Sequence, residues 1–415
     1  MRFVKKKANL VPIEDTVFAI VKKAKKAKIE LGEQQVIDAT IGSLYDEDGK
    51  LVALQSVFSS YDALSKEMKA AYADSFIGNE SYRKQVYDWV VKPSNISLAY
   101  DVIATAGGTG AISLTLQEML DENETVLIPE IGWGSYRLMA QMYQLNVETY
   151  HLFHNKTFDV EGFRIICEKI MERQKKLCVI INDPCHNPTG YSMTFEEWKQ
   201  VIDILNDCAK KGPVVLLNDI AYIDYAYDVE NARHYMKTFQ AISDNVFVVI
   251  AFSCSKSLTS YGLRCGAAIL LSQQEASIKE VKTVMEKAAR ATWSNIPNAA
   301  MENFTIVTTE YRQTFLDEKA SYISLLKQRS DIFMKEADIC GLPYYPYKEG
   351  FFVTVRVDDQ VVRDVYHEEL MKQHIYTVKV NKGIRVAICS LPINKCKGLA
   401  VKMKKILDSL DIQSV

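Results

Sequence analysis

The middle of this chain alternates two kinds of segment, and this alternation limits its fold more than any other feature. Short runs rich in Val, Ile and Leu are typical of strands covered on both faces, and longer amphipathic segments between them predict helices. Strands are predicted at 102–106, 125–130, 146–152, 178–183, 214–219, 246–252 and 266–271. Helices are predicted at 109–121, 135–144, 160–175, 195–211, 231–241 and 274–289. The pattern predicts an α/β fold with a mostly parallel seven-stranded sheet flanked by helices.

The 415 residues are enough for two domains. Residues 298–339 contain neither Pro nor Gly, and they predict one long helix or two abutting helices leading away from the sheet. Apolar stretches at 351–357 and 383–388 then indicate a smaller α+β domain, which the N-terminal segment is expected to join. We therefore expect a large domain at 51–297 and a small domain formed by 1–50 and 298–415.

Composition argues against several classes of partner and site. A net charge of −2 gives no reason to expect nucleic acid or an anionic membrane. No apolar run approaches the roughly 20 residues of a membrane span, and the N-terminal segment has no signal-peptide core. The nine cysteines form no CxxC pair and the six histidines no HExxH spacing, so we expect neither a disulfide framework nor a metal site. Together these features predict a cytoplasmic protein.

The predicted strand at 246–252 leads into a run of hydroxyl residues that contains Lys256, and Arg264 follows eight residues later. A lysine amine in such a place can form a Schiff base with an aldehyde. The hydroxyls and the arginine could hold a phosphate. Together they indicate a pyridoxal phosphate site. A lysine at a strand end is more often a solvated loop residue, so the other strand ends must decide.

Further motifs follow other predicted strands, at the edge where open α/β sheets bind ligands. These motifs are Gly107-Gly108-Thr109-Gly110, Trp133, Asn187-Pro188-Thr189-Gly190 and Asn218-Asp219-Ile220-Ala221-Tyr222. A glycine turn at a helix start offers N–H groups to a phosphate, and an indole can stack on a planar ring. A buried carboxylate needs a partner, for which a protonated pyridine nitrogen would serve. Each motif alone also has a structural interpretation: a helix start, a core tryptophan, a proline turn or a local ion pair.

Two arginines lie outside these motifs. Arg385 is inside an apolar strand, where a guanidinium needs an anion that it can bind through two hydrogen bonds. Arg290 lies in Ala289-Arg290-Ala291-Thr292-Trp293-Ser294, and by itself it is typical of an exposed helix end.

The set of motifs, in this order and at successive strand ends, resembles the class I and II aminotransferases, which are fold-type-I pyridoxal phosphate enzymes. The resemblance covers about residues 36–392. It implies that Lys256 holds the cofactor as a Schiff base, with Asp219 on the ring nitrogen and Tyr222 on the phenolic oxygen; these three are the expected catalytic residues. The expected cofactor contacts are Gly108, Thr109, Trp133, Asn187, Asp219, Tyr222, Ser253, Lys256, Arg264 and Ser294. The expected substrate contacts are Gly42, Arg290 and Arg385.

The stretch 290–297 resembles the aspartate and aromatic aminotransferases in particular. There an arginine reaches across a dimer interface to the second carboxylate of the substrate, and a serine reaches the partner's phosphate. The resemblance therefore implies a homodimer in which Arg290 and Ser294 serve the other subunit. Gly107 replaces a frequent serine, Thr259 replaces a small residue, and Tyr72 stands one residue too far from Gly78 to match the family's interface tyrosine.

The expected reaction is transamination between an L-amino acid, either aspartate or glutamate or an aromatic one, and a 2-oxo acid. Another reaction of the same cofactor, such as C–S β-elimination or decarboxylation, remains open because all of them use the same electron sink. A pyridoxal phosphate-binding regulatory module is a third possibility. About 35 residues precede the first family match, which is too few for a winged helix-turn-helix. The amino donor itself is not predicted.

Overall fold

The computed structural model of this protein describes residues 3–12 and 16–411. Its strands are β1 Ile37–Asp38, β2 Ala99–Ala106, β3 Thr125–Pro129, β4 Asn146–Tyr150, β5 Phe153–His154, β6 Thr157–Phe158, β7 Leu177–Asn182, β8 Val214–Asp219, β9 Val246–Ser253, β10 Cys265–Ser272, β11 Phe352–Arg356, β12 Ile375–Tyr376, β13 Val378–Val380 and β14 Gly383–Ala387. Its α-helices are α1 Thr16–Leu31, α2 Gln55–Ala63, α3 Lys66–Ala70, α4 Glu80–Val90, α5 Gly107–Met119, α6 Ser135–Met142, α7 Val160–Gln174, α8 Phe195–Ala209, α9 Cys254–Ser257, α10 Glu275–Thr292, α11 Asn298–Thr309, α12 Arg312–Cys340, α13 Gln360–Lys372, α14 Ile393–Cys396 and α15 Leu399–Asp411.

A seven-stranded sheet in the order β2-β10-β9-β8-β7-β3-β4 forms the centre of the molecule. β10 runs antiparallel to both of its neighbours, and the other adjacent pairs are parallel. All seven strands predicted from the sequence are in this sheet, with ends shifted by a few residues at most. The predicted α/β class with a mostly parallel seven-stranded sheet is confirmed.

Helices cover both faces of the sheet, which explains why its inner strands are apolar at 177–181, 214–217 and 246–252. In β8, Val214 and Leu216 point into one hydrophobic core. The alternate residues Val215 and Leu217 point into the core on the opposite face. The sequence therefore lacks the strict apolar-polar alternation of a half-exposed strand.

One helix prediction needs correction, and for the stretch 298–339 the second of the two predicted alternatives is confirmed. The segment predicted as a helix at 231–241 is a 3-10 helix at His234–Ala241. The Pro- and Gly-free stretch is two helices, α11 and α12, which are separated at residues 310–311. α12 runs for 29 residues to Cys340, and Gly341 after it has a φ of 70°, the left-handed conformation usual after a helix end.

The C-terminal part forms a second, smaller sheet in the order β11-β14-β13. The N-terminal segment joins this part of the molecule, because β1 pairs in parallel with β12 through Ile37 and Ile375. This pairing supports the domain limits at 51–297 and at 1–50 with 298–415, which stay a prediction. Within the described residues, no helix is long and apolar enough to cross a membrane.

The sheet brings distant parts of the chain to one edge. β2, β3, β7, β8 and β9 all run in the same direction, so their carboxyl ends lie along that edge. The antiparallel strand β10 begins there, with Gly266 paired to Ser253 at the end of β9. As a result, Arg264, which precedes β10, lies beside the carboxyl ends of the parallel strands.

Candidate active site

A cavity of about 300 Å³ opens at this edge of the sheet. Nine residues predicted to contact the cofactor line it: Gly108, Thr109, Trp133, Asn187, Asp219, Tyr222, Ser253, Lys256 and Arg264. The lining also includes Ser43, Ile112, Tyr136, Asn182, Ala221, Ser255 and Tyr261, which sequence reasoning did not single out. The volume is at the lower end of the range for small-molecule and cofactor sites.

Lys256 extends into the cavity from the short helix α9, directly after β9. Its Nζ donates a hydrogen bond to the carbonyl oxygen of Gly42 and lies 4.8 Å from the ring centre of Tyr261. Burial lowers the pKa of Lys256 to about 8, and the positive charges of Arg385 and Arg264 act in the same direction. A lysine with such a pKa is partly neutral near physiological pH and can act as a nucleophile or a base.

Asp219 ends β8, is buried and lines the cavity. Its Oδ2 accepts a hydrogen bond of 2.5 Å from the Tyr136 hydroxyl, and its Oδ1 accepts one of 3.0 Å from the backbone N–H of Ala221. Burial raises the pKa of Asp219, and both hydrogen bonds oppose that rise. Throughout residues 3–12 and 16–411, no lysine or arginine forms an ion pair with Asp219. The alternative interpretation of this motif, a carboxylate that pairs with a nearby lysine or arginine, therefore does not apply to Asp219.

Hydroxyl, backbone N–H and guanidinium groups gather around Arg264 in the cavity lining. Gly108 and Thr109 are in the first turn of α5, where N–H groups have no partner within the helix. The Nη1 of Arg264 donates to Ser255 Oγ at 3.0 Å and to the Tyr261 carbonyl at 2.8 Å. A Cβ on Gly107 would lie 2.7 Å from Arg264 Nη2, so the glycine leaves room for this guanidinium. The group of donors is suited to a phosphate.

Arg385 comes from β14 and is buried, with its guanidinium carbon 4.4 Å from the ring centre of Phe352. Its Nη2 donates to the Thr40 carbonyl at 2.8 Å and its Nη1 to Asn187 Oδ1 at 3.3 Å. Its Nε is buried without a hydrogen-bond partner, and no acidic residue of the described chain pairs with it. Burial lowers the pKa of Arg385. A buried guanidinium with an unused donor is suited to an incoming carboxylate.

The remaining aromatic and amide residues surround the space between these charged groups. Tyr222 is buried and meets the rings of Phe351 and Phe352 edge to face, at 5.2 and 5.5 Å. Asn187 points its Oδ1 at Arg385, which leaves its NH2 group as a donor. Trp133 packs edge to face against Tyr136, at 5.4 Å.

Gly42 was expected to make a backbone contact near Arg385, but in the structure a different residue of this segment contacts the arginine. The carbonyl of Thr40 contacts Arg385, whereas the carbonyl of Gly42 contacts Lys256. A Cβ at position 42 would lie 2.8 Å from Phe352 Cζ, so a side chain there would have to displace the ring.

Arg290 and Ser294 lie elsewhere, at the C-terminal end of α10. Arg290 is exposed, donates a hydrogen bond to Ser294 Oγ, and has its guanidinium carbon 4.5 Å from the ring centre of Phe76. Neither residue lines the cavity of its own chain. Their predicted roles thus depend on a second copy of the chain.

Pyridoxal phosphate fits these groups. The ring nitrogen requires an anion, and Asp219 is a buried carboxylate with neutral hydrogen-bond partners. The phosphate requires several donors, which the surroundings of Arg264 provide. The aldehyde requires an amine, and Lys256 is in the same cavity. Among the residues that the structure describes, no cluster of His, Cys, Asp and Glu could hold a metal ion.

Tyr136 and Tyr261 are the main residues that sequence reasoning missed. Tyr261 accepts a hydrogen bond of 2.9 Å from the backbone N–H of Leu44 and so ties the segment after Gly42 to the lysine loop. A signal existed for Tyr136, because it follows Trp133 by three residues in the turn that leads into α6, where the Tyr136 N–H donates to the Trp133 carbonyl at 3.1 Å. No such local signal connects Tyr261 with residue 44.

Known proteins resemble the chain over nearly its whole length. The model of the family "Aminotransferase class I and II" matches residues 34–402. The aromatic-amino-acid aminotransferase of Paracoccus denitrificans is 26% identical over 346 residues, covering 81% of this chain and 85% of that protein. The aspartate aminotransferase of Pseudomonas aeruginosa is 26% identical over 267 residues, covering 63% of this chain and 65% of that one.

A solved structure agrees with these relatives. The crystal structure of an aminotransferase from Anaerococcus prevotii superposes with a TM-score of 0.95 at 32% identity, covering 98% of this chain and 100% of that one. The chain therefore belongs to the class I and II aminotransferases and is a pyridoxal phosphate-dependent transaminase.

Proposed function

We propose that the cavity around Lys256 transfers the amino group of an L-amino acid with a second carboxylate, aspartate or glutamate, to a 2-oxo acid, and that aromatic amino acids are alternative donors. One observation carries the assignment of the site. An amine with a lowered pKa and a carboxylate without a cation line one cavity, and a buried guanidinium without an anion bonds to Asn187 in the same lining. The residue roles below follow from this arrangement.

Each part of the cofactor would have its own residues. Asp219 would hold the proton on the ring nitrogen, and Asn187 and Tyr222 would bind the phenolic oxygen. Gly108, Thr109, Ser253 and Arg264 would bind the phosphate, and Trp133 would lie against the ring. When bound, pyridoxal phosphate supplies an electron-accepting ring that stabilises negative charge at the substrate Cα.

Lys256 would move the proton. Its pKa of about 8 allows the neutral amine to take the Cα proton and the protonated amine to return it. Gly42 accepts a hydrogen bond from the Nζ and thereby defines one position of the amine.

Arg385 would bind the α-carboxylate through its free Nε and neighbouring N–H groups. This grip would orient the Cα–H bond towards Lys256 and would distinguish transamination from decarboxylation.

Arg290 would select the substrate's second carboxylate. The names of the two curated relatives, aspartate aminotransferase and aromatic-amino-acid aminotransferase, support the two substrate classes. Arg290 lies outside the cavity of its own chain, so the proposal includes a homodimer in which this residue and Ser294 complete the partner's site. A cytoplasmic location is also proposed, and the nine cysteines, all free, support it.

The substrate assignment can be tested with the Arg290→Ala variant. A charge-assisted hydrogen bond contributes roughly 1.5–3 kcal/mol, so kcat/KM for aspartate and glutamate should fall about 10- to 150-fold. The value for phenylalanine and tyrosine should change far less. Half-reactions of the holoenzyme with each amino acid alone, followed by the absorbance of the cofactor, measure both without a dicarboxylate acceptor.

Lys287→Ala is the matched control, because it removes an exposed cation from the same helix. It should leave both substrate classes unaffected. An equal loss for both classes in Arg290→Ala, or no loss for either, would reject the selectivity. Release of carbon dioxide, ammonia or a thiol in place of the 2-oxo acid product would contradict transamination itself.

A further inference from the structure

Tyr136 contacts two of the residues that are proposed to hold the cofactor ring. It lies in the first turn of α6, and its side chain is 1% exposed. Its hydroxyl donates to Asp219 Oδ2 at 2.5 Å. Its ring meets Trp133 edge to face, at 5.4 Å and 87°. One side chain thus connects the Asp219 carboxylate with the Trp133 indole, and both of these groups line the cavity.

The hydroxyl matters because Asp219 has few other donors. The backbone N–H of Ala221 is the second donor, and it bonds the other carboxylate oxygen. A buried carboxylate favours its neutral form unless donors stabilise the charge. Burial and the neighbouring Asp219 raise the pKa of Tyr136 well above its ordinary value, so the phenol keeps its proton and can only donate to this oxygen.

We propose that Tyr136 is a positioning residue for the cofactor ring, whose hydroxyl keeps Asp219 ionised and directed at the ring nitrogen while its ring supports Trp133. The inference rests on the proposed function, because it assumes that Asp219 faces the pyridine nitrogen. Tyr136 itself need not touch substrate or take part in proton transfer at the Cα. Its two contacts use different parts of the side chain, so substitutions can separate them.

Tyr136→Phe removes the hydroxyl and keeps the ring. Without this donor Asp219 should be more readily protonated, and the affinity of the apo-protein for pyridoxal phosphate should fall by at least about 10-fold, the lower end of the range for a lost hydrogen bond to a charged group. Titration of the apo-protein with pyridoxal phosphate, followed by tryptophan fluorescence, measures the dissociation constant. Tyr136→Leu, which loses both contacts, should bind more weakly still.

Tyr150→Phe is the matched control. Tyr150 is also buried, and its hydroxyl donates at 3.1 Å to the Ile180 carbonyl, outside the cavity lining. Tyr150→Phe loses a buried hydrogen bond from a phenol to a neutral backbone carbonyl, so this variant reports the purely structural cost of removing a buried hydroxyl. The affinity of Tyr150→Phe for pyridoxal phosphate should stay within about twofold of that of the unsubstituted protein. A twofold change corresponds to about 0.4 kcal/mol, because a tenfold change corresponds to about 1.4 kcal/mol.

A second readout follows the ring nitrogen directly. Pyridoxal phosphate labelled with 15N in the ring reports by NMR whether that nitrogen carries the proton. In Tyr136→Phe its resonance should move towards that of neutral pyridine, and Tyr136→His, which restores a donor, should move it part of the way back. In the Asp219→Asn background, Tyr136→Phe should add little to either readout, because the hydroxyl acts through Asp219.

The outcomes separate this inference from the proposed function. If Asp219→Asn weakens binding but Tyr136→Phe changes neither affinity nor resonance, the positioning role of Tyr136 is wrong and the role of Asp219 stands. An effect of Tyr136→Phe that is undiminished in the Asp219→Asn background also overturns it. If Asp219→Asn itself leaves the resonance and the affinity unchanged, both proposals fail.

Discussion

At the residue scale, the surroundings of Lys256 give it the reactivity that an ordinary lysine lacks. The ammonium of an exposed lysine is well solvated and keeps its proton far above neutral pH. Here burial removes much of that solvation, and two arginines, Arg385 and Arg264, further disfavour the charged form. The nearby thiol of Cys389 acts in the opposite direction. The balance lowers the pKa of Lys256 to about 8.

This shift predicts the pH dependence of cofactor capture. The neutral amine is the nucleophile, and a lowered pKa makes it predominate above pH 8 instead of above pH 10. The rate at which the apo-protein captures pyridoxal phosphate should therefore rise with pH, reach half of its maximum near pH 8 and level off at higher pH. Stopped-flow absorbance at several pH values gives this profile.

The amine of Nα-acetyl-lysine serves as the control, because its pKa of about 10.4 is unperturbed and its rate should still rise at pH 10. The reference reaction also corrects for titration of pyridoxal phosphate itself. Lys256→Ala should show no capture at the active site. A midpoint near 10 for the protein would contradict the environment described for Lys256.

Several of these residues were predictable from the sequence, and others were not. Lys256, Asp219 and Asn187 follow predicted strands, so the rule that ligands bind at strand ends was enough to predict that they lie together. Arg385 was marked by its position in an apolar strand. Tyr261 and Ser43 could not be found in this way, because their contacts depend on how the segment after Gly42 folds over the lysine loop. That path is set by tertiary packing and leaves no periodic signal.

At the element scale, α12 extends from the central sheet towards the C-terminal part and places a buried charge beneath the lysine loop. Its Lys319 donates to the Ser257 carbonyl at 2.7 Å and lies 3.8 Å from Asp224. Arg233 pairs with the same carboxylate at 2.5 Å. The lack of Pro and Gly predicted this helix, but it could not predict that one of its lysines is buried.

Asp224 should therefore contribute strongly to stability. Although burial opposes its ionisation, Lys319 and Arg233 hold the pKa of Asp224 below its usual range. Asp224→Asn would leave two buried cations without an anion, which should cost about 3–5 kcal/mol of unfolding free energy. Urea unfolding, followed by tryptophan fluorescence, measures the change.

Asp331→Asn provides the comparison on α12 itself, where Asp331 forms an exposed pair with Lys327. Exposed pairs contribute less than about 1 kcal/mol. Similar unfolding midpoints for the two variants would show that the network around Asp224 adds no more than a surface pair.

At the scale of the whole molecule, one chain supplies the cofactor cavity but not all of the residues proposed to complete the site. Arg290 and Ser294 bond to each other at the surface, next to Phe76 and away from the lining of their own cavity. A closed two-fold dimer would bring the same surface of each copy to the other. Each site would then combine Lys256 of one chain with Arg290 of the other.

Subunit mixing tests this arrangement. Lys256→Ala chains lack the amine, and Arg290→Ala chains lack the selecting guanidinium, so neither homodimer should use aspartate well. In a mixed dimer one of the two sites would contain both intact residues, and random exchange should restore about a quarter of the original activity with aspartate. Native mass spectrometry would confirm that exchange occurred. If both residues serve the same chain, the mixture should show no more activity than the average of its parts, and the shared site would be excluded.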